Sequence, residues 1–308
     1  MVSSLSGTLA SSARPLVENI NDALNSYANF SDGCPEHLAA AIQHSLLAPG
    51  KRLRPLLVLL AAEACGSDND RAMPAACAVE MVHAYSLIHD DLPSMDDDNM
   101  RRGRPSCHAA FGEATAILAG DALLARAFEV LARDLSPAEV AAKCCHELAT
   151  AAGATRMVGG QADDLEMESD ADMLVADGPL SADLEKLQSI HRRKTGAMIT
   201  VSLRMGALVA QSDAESLAAL TTFGNNLGLA FQIVDDLLDI VGDEATLGKR
   251  SGKDEGRGKL TFPRLLGVAE SRTRSEELID QACAAIDSWG DRAATLLSLA
   301  RYVIDRDR

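Results

Sequence analysis

The chain has 308 residues, 47% apolar and 24% charged, which supplies a sizeable core and is too apolar for a disordered acidic tail. Its 45 acidic residues against 29 basic ones give a formal charge of −16, so the chain as a whole repels nucleic acid and anionic membrane surfaces, and neither is an expected partner. The aromatics are few, six Phe, three Tyr and one Trp, and the apolar mass is Ala and Leu, which argues for helix and against a β-sandwich or barrel.

Apolar residues recur at three and four spacing along almost the whole chain, and no segment alternates at period two for long enough to predict a strand. About eleven helices are expected. An N-terminal helix lies within residues 1–30, and the clearest others cover 35–47, 52–65, 71–92, 113–134, 137–158, 182–210, 214–241 and 292–307. Gly66 stands where a helix would end. Residues 92–105, with Pro93, three consecutive aspartates and three arginines, are too polar for a core helix. Residues 168–180 form an acidic loop, and 242–259, with five glycines and nine charged residues, form a glycine-rich loop. No repeat of fixed period and no Pro- or Ser-rich linker appears, so residues 1–308 are expected to form one helical domain.

Seven cysteines without a C-x-x-C pair suit reduced thiols rather than a disulfide framework or a zinc ribbon, and a cytoplasmic protein is expected. No uninterrupted apolar run reaches the roughly 18 residues of a membrane span, and residues 1–12 lack a basic segment followed by an apolar one.

Two acidic clusters stand out. The first, Asp90, Asp91, Asp96, Asp97 and Asp98, follows the apolar helix ending Leu87-Ile88-His89; Pro93 forbids a regular helix through it, so a kink must return Asp96 toward Asp90. It lacks the glycine of a helix-loop-helix calcium site. The second, Asp235, Asp236 and Asp239, is embedded in the run Leu229-Ala230-Phe231-Gln232-Ile233-Val234. Asp235 and Asp239 share one helix face, and their apolar neighbours make a solvated face a poor explanation. Were two such triplets to face each other at about 6 Å, each pair would cost roughly 0.7 kcal/mol in bulk water and about 3 at an effective dielectric of 20. A cation has to intervene. Oxygen-only donors select a hard ion, and magnesium characteristically shares carboxylates with substrate phosphates. Basic residues gather close by in sequence, at Gly50-Lys51-Arg52-Leu53-Arg54-Pro55, at Arg101-Arg102-Gly103, at Lys194-Thr195 and at Lys249, Lys253 and Lys259. Any one of these could be an ordinary solvated charge; their joint occurrence beside both clusters points to a diphosphate.

This order of motifs, continuing through Asp90-Asp91-Leu92-Pro93-Ser94-Met95-Asp96 and Gln232 with Asp235-Asp236-Leu237-Leu238-Asp239, resembles the trans-isoprenyl diphosphate synthases, and among them the bacterial-type farnesyl diphosphate synthases, from about residue 35 onward. The resemblance implies an all-α isoprenoid synthase fold, a single large helical bundle around a central cavity, a homodimer, and a Mg2+-dependent head-to-tail condensation. It implies that Asp90, Asp91, Asp96, Asp235, Asp236 and Asp239 hold three Mg2+ on the allylic diphosphate, which Arg101, Lys194, Lys249 and Lys259 also grip. Gly50, Lys51, Arg54, His83 and Arg102 would bind isopentenyl diphosphate. Gln232 and the Lys194-Thr195 backbone would face the allylic cation. Tyr85 and Ser86, one turn or slightly more before Asp90, would floor the hydrocarbon pocket, the bulky Tyr85 implying closure after fifteen carbons. Pro49 and Asn99 depart from the usual pattern, neither at a ligand position. His83, amid Val82, Ala84 and Tyr85, also reads as a core histidine with one hydrogen bond, and Gly159-Gly160-Gln161 with Asp163-Asp164 reads equally well as a helix kink. The rival readings are a twenty-carbon geranylgeranyl synthase; a terpene cyclase, which would not need the isopentenyl site; and a non-catalytic helical metal-binding module, which would not need Lys51, Arg54, Arg101 and Arg102.

Overall fold

The computed structural model describes residues 7–30, 33–169, 180–241 and 260–305. Among them the secondary structure is helical apart from a two-residue hairpin, Met100–Arg101 (β1) paired antiparallel with Arg104–Pro105 (β2). The chain divides into two compact units, Met1–His146 with Met205–Ser212, and Glu147–Arg204 with Asp213–Arg308.

In the first unit, helices α1 (Gly7–Tyr27), α2 (Glu36–Leu46), α3 (Leu53–Ala64), α4 (Asn69–Asp90), α5 (Cys107–Phe111) and α6 (Glu113–Asp134) follow in order. The N-terminal helix is present, and Ala13, Val17, Ile20 and Leu24 recur on its buried face. Residues 55–62 of α3 are buried without interruption, the mark of a helix enclosed on all sides. It ends as expected: Gly66 takes φ 87, and the Ser67 N–H donates back to the Ala62 carbonyl at 2.9 Å. Helix α4 starts at a cap, where the Asp68 side chain accepts from the Arg71 N–H at 2.9 Å, and packs against α3 and α6. The 92–105 segment is indeed not core helix; it carries the hairpin.

In the second unit, α8 (Met157–Ser169), α9 (Leu180–His191), α11 (Ala214–Val241), α12 (Phe262–Leu266), α13 (Val268–Ile286) and α14 (Ala294–Asp305) assemble around α11, which packs on α9, α12, α13 and α14. Helices α7 (Ala138–Ala152) and α10 (Ala197–Val209) each have residues in both units. By length and composition α11 could cross a membrane, which no continuous apolar run had suggested. Its most apolar stretch has a mean hydropathy of 1.2 and is half buried in the protein, as a core helix would be.

Two expected helices are interrupted. The one predicted over 137–158 breaks after Ala152, and α8 begins at Met157; Gly153, Gly159 and Gly160 weaken helix there. The one predicted over 182–210 is divided by a π turn at Arg192–Gly196. The last, predicted from 292, starts later, because Asp287–Ala293 is a 3-10 turn with Gly290 at φ 59. The glycine-rich 242–259 segment and most of the acidic one at 168–180 lie outside the described residues.

Candidate active site

The candidate residues fall into two groups, one in each unit. In the first unit, the loop joining α2 to α3 turns sharply at Arg52, whose φ of 51 and ψ of 37 are left-handed. Lys51 is exposed, and Arg54 lies on the first turn of α3. From α4, His83 reaches Arg54, with 3.3 Å between His83 Nε2 and Arg54 Nη1. Burial, and then the guanidiniums of Arg54, Arg102, Arg101 and Arg52, hold His83 well below the ordinary histidine range. A neutral imidazole accepts at Nε2 from Arg54 and so carries its proton on Nδ1. Arg102, also left-handed at φ 54, donates to the Pro49 carbonyl at 3.1 Å. A β-carbon on Gly50 would lie 2.4 Å from Arg102 Nη1, so glycine is what lets that guanidinium lie across the loop. Lys51, Arg54, His83 and Arg102 thus belong to one basic neighbourhood, and burial pushes Arg102 down from its usual value, with Arg52 and Arg101 acting in the same direction.

The first aspartate motif ends α4. The predicted kink is there: the Asp96 N–H donates to the Asp90 carbonyl at 2.8 Å, Asp98 to Asp91 at 3.1 Å and Asp97 to Leu92 at 3.1 Å. Asp97 turns outward, exposed and left-handed at φ 51, which sets it apart from the carboxylates of Asp90, Asp91 and Asp96. Asp91 is 2% exposed and bound by Arg101 through Nε at 2.7 Å and Nη2 at 2.5 Å. Burial pushes its carboxyl up, Arg101 pulls it down, and Asp98 and Asp96 raise it again. Arg101, expected on a diphosphate, is therefore engaged by an expected metal ligand.

One turn earlier, Tyr85 is 7% exposed, and its ring meets His89 edge-on with centroids 5.6 Å apart. His89 Nε2 donates to the Ile117 carbonyl of α6 at 3.1 Å, and a β-carbon on Gly120 would collide with it at 2.2 Å. Ser86 donates to the His83 carbonyl within its own helix.

In the second unit, Asp235, Asp236 and Asp239 lie on α11, with Asp236 and Asp239 buried and Asp235 half-buried. The Phe262 N–H, at the start of α12, donates to Asp236 Oδ2 at 3.0 Å, and His191 Nε2 stands 3.5 Å from the same oxygen. The His191 ring stacks on Phe262. One turn back on α11, the Thr195 hydroxyl donates to Gln232 Oε1. Lys194 donates to Asp164 at 2.7 Å, and Arg193 pairs with Asp163. Lys249 and Lys259 lie outside the described residues.

Sequence reasoning missed how the π turn is held. A β-carbon on Gly160 would lie 2.5 Å from the Lys194 nitrogen, and one on Gly228 would lie 2.7 Å from the Gly196 Cα, so α8 and α11 grip the turn from two sides through glycines. Gly159-Gly160 and Asp163-Asp164 are thus more than a kink: they seat and pair the Arg193-Lys194 segment. Glycines spaced along apolar helices were the only signal. We expect Gly228→Ala to destabilise the protein by about 1–3 kcal/mol, since backbone rather than a flexible side chain must yield. Urea unfolding would measure it, and an unchanged midpoint would contradict the close approach.

Among the described residues a helical fold carries two carboxylate motifs, the first paired with Arg101 and the second met by the Phe262 N–H and His191, as the isoprenoid synthase class would have it. Comparison with known proteins agrees. The polyprenyl synthetase family matches residues 35–294. The chain is 44% identical over 275 residues to a farnesyl diphosphate synthase of Escherichia coli, covering 87% of this chain and 88% of that one. It is 40% identical over 292 residues to a geranylgeranyl diphosphate synthase of Cyanophora paradoxa, covering 94% of each. The crystal structure of an FPP/GFPP synthase from Zymomonas mobilis superposes with a TM-score of 0.84 at 34% identity, covering 99% of this chain and 100% of that one. The chain belongs to the polyprenyl synthetase family, and it is a prenyltransferase.

Proposed function

We propose that the protein condenses isopentenyl diphosphate head to tail with dimethylallyl or geranyl diphosphate and stops at farnesyl diphosphate. The observation carrying the fifteen-carbon limit is Tyr85, buried, braced by His89 and slightly more than one turn before Asp90 on α4. An aromatic ring there leaves little room beneath a growing chain. The twenty-carbon reading is favoured by the name of the Cyanophora relative, and product length decides between them.

Magnesium fits the donor set. Asp90, Asp91 and Asp96, with Asp235, Asp236 and Asp239, offer only hard carboxylate oxygens, and Asp91, buried beside Asp96 and Asp98, is raised in a way that a divalent cation relieves. Among the described residues no three donors converge into a cage. Magnesium needs none, because it usually takes one or two carboxylates and completes its shell with water and substrate phosphate. When bound it supplies Lewis-acid neutralisation of the diphosphate.

The chain's own residues do the rest. Lys194, freed from Asp164, and Arg101, freed from Asp91, add hydrogen-bonded positive charge to the allylic diphosphate, as Lys249 and Lys259 would. That charge stabilises the leaving group while the C–O bond breaks. Lys51, Arg54 and Arg102 bind isopentenyl diphosphate, and neutral His83 can add its Nδ1 proton. The double bond of isopentenyl diphosphate attacks the allylic carbon, and the departing diphosphate takes the proton that is then lost. Gln232 and the Lys194-Thr195 backbone would turn oxygen dipoles toward the allylic cation, and an apolar pocket would keep water from capturing it. We further propose a homodimer, for which the exposed Ile117 and Leu118 of α6 offer an apolar face.

The test is incubation with Mg2+, isopentenyl diphosphate and geranyl diphosphate. Farnesyl diphosphate should accumulate, from a species of twice 32.5 kDa in native mass measurement. Failure to consume isopentenyl diphosphate would overturn the transferase reading, and a mainly twenty-carbon product would overturn the chain-length reading alone.

A further inference from the structure

Arg52 lies between Lys51 and Arg54, two residues of the isopentenyl cradle, yet its guanidinium points inward and is 5% exposed. Its nitrogens are used on three sides: Nε donates to Asn21 of α1 at 2.9 Å, Nη1 to Glu80 of α4 at 2.7 Å and Nη2 to the Ala48 carbonyl at 3.1 Å. Glu80 is equally enclosed, 3% exposed. A residue with a β-carbon stays in left-handed backbone only where its surroundings over-determine it, and these three bonds do so. The turn at Arg52 leaves Lys51 exposed before α3 begins. The pairing also repeats in register: Arg52 meets Glu80 and, two residues on, Arg54 meets His83, three residues on along the same face of α4.

We infer that the buried Arg52–Glu80 pair, tied at its rim to the exposed Asn21 of α1, forms a positioning network that sets the isopentenyl diphosphate cradle, so that α1 takes part in substrate binding without touching substrate. The inference rests on the assignment of Lys51, Arg54 and Arg102 to isopentenyl diphosphate. Because the guanidinium is consumed internally, Arg52 acts through its backbone turn and is not a binding group. Glu80 is the counter-charge near Arg102: burial, Arg52 and Arg101 push that guanidinium down, and Glu80 acts against them.

Steady-state kinetics with each substrate varied separately tests this. Arg52→Lys keeps the charge opposite Glu80 but loses the fork, and should raise KM for isopentenyl diphosphate by about tenfold, the equivalent of one buried hydrogen bond to a charged group. Neither kcat nor the KM for geranyl diphosphate should change beyond about twofold. Asn21→Ala should shift the same constant in the same direction by less. The paired Arg52→Met, Glu80→Met variant removes both charges at similar volume and guards against misfolding from a lone buried charge. It should fold and should show the same selective rise. A wild-type KM for isopentenyl diphosphate in the paired variant, or equal losses for both substrates, would overturn the inference. Lys51→Ala is the control: if it leaves that KM unchanged, the cradle assignment itself fails, whereas a rise with Lys51→Ala and none in the Arg52 variants refutes the network alone.

Discussion

Asp235→Ala will lower kcat on the order of a thousandfold or more, whereas Asp97→Ala will leave it within a few-fold of wild type. On the proposed assignment of Asp235 to a divalent cation, its loss forfeits several kcal/mol of transition-state stabilisation, and each 1.4 kcal/mol is about tenfold in rate. Asp97 is different because its side chain is turned out to solvent at φ 51. Its substitution by alanine costs stability, about 1 kcal/mol, because aspartate tolerates left-handed backbone better than alanine does. The measurement is turnover at saturating isopentenyl and geranyl diphosphates and Mg2+, with thermal unfolding alongside. Equal losses in the two variants would mean that the wrong carboxylates have been assigned to the ion.

Tyr85→Ala will shift the main product from fifteen carbons to twenty or more. The ring is buried and held by His89, which is pinned to the Ile117 carbonyl and nested against Gly120. Removing it opens a cavity continuous with any pocket above, at a stability cost of about 3–5 kcal/mol for a large aromatic. If the proposed floor is right, Tyr85→Phe should keep both the fold and the fifteen-carbon product, because the proposal rests on the ring's volume and not on its hydroxyl. Chromatography of the dephosphorylated alcohols reads the result. An unaltered distribution in Tyr85→Ala would place the floor elsewhere.

Much of this was legible in the residues. Helix α11 runs over 214–241 as its apolar period requires, and Gly66 ends α3 as its left-handed conformation allows. Pro93 forces the return that brings Asp96 to Asp90, since a ring without an N–H cannot continue α4. The interruptions were hidden, because what shapes the π turn is contact between segments far apart in sequence. Gly160 meets Lys194 and Gly228 meets Gly196, and a local periodicity sees neither. The pairings of Arg101 with Asp91 and of Lys194 with Asp164 are equally invisible, because a sequence shows neighbours along the chain whereas an ion pair needs only proximity in space. In the sequence Arg52 is one more cation of its motif, and only its burial shows that it faces away from the others.

The π turn at Arg192–Gly196 also constrains how this stretch can change in length. Each residue advances a helix by about 100°. A π turn spends about one residue more than an α turn, so deleting one position between His191 and Ala197 would let it close as α-helix and erase the bulge that meets Gly160 and Gly228. Point replacements in that interval leave the bulge in place, whereas a lost codon would remove it and a second gained one would turn α10 about its axis, so its residue count is more tightly bound than its chemistry.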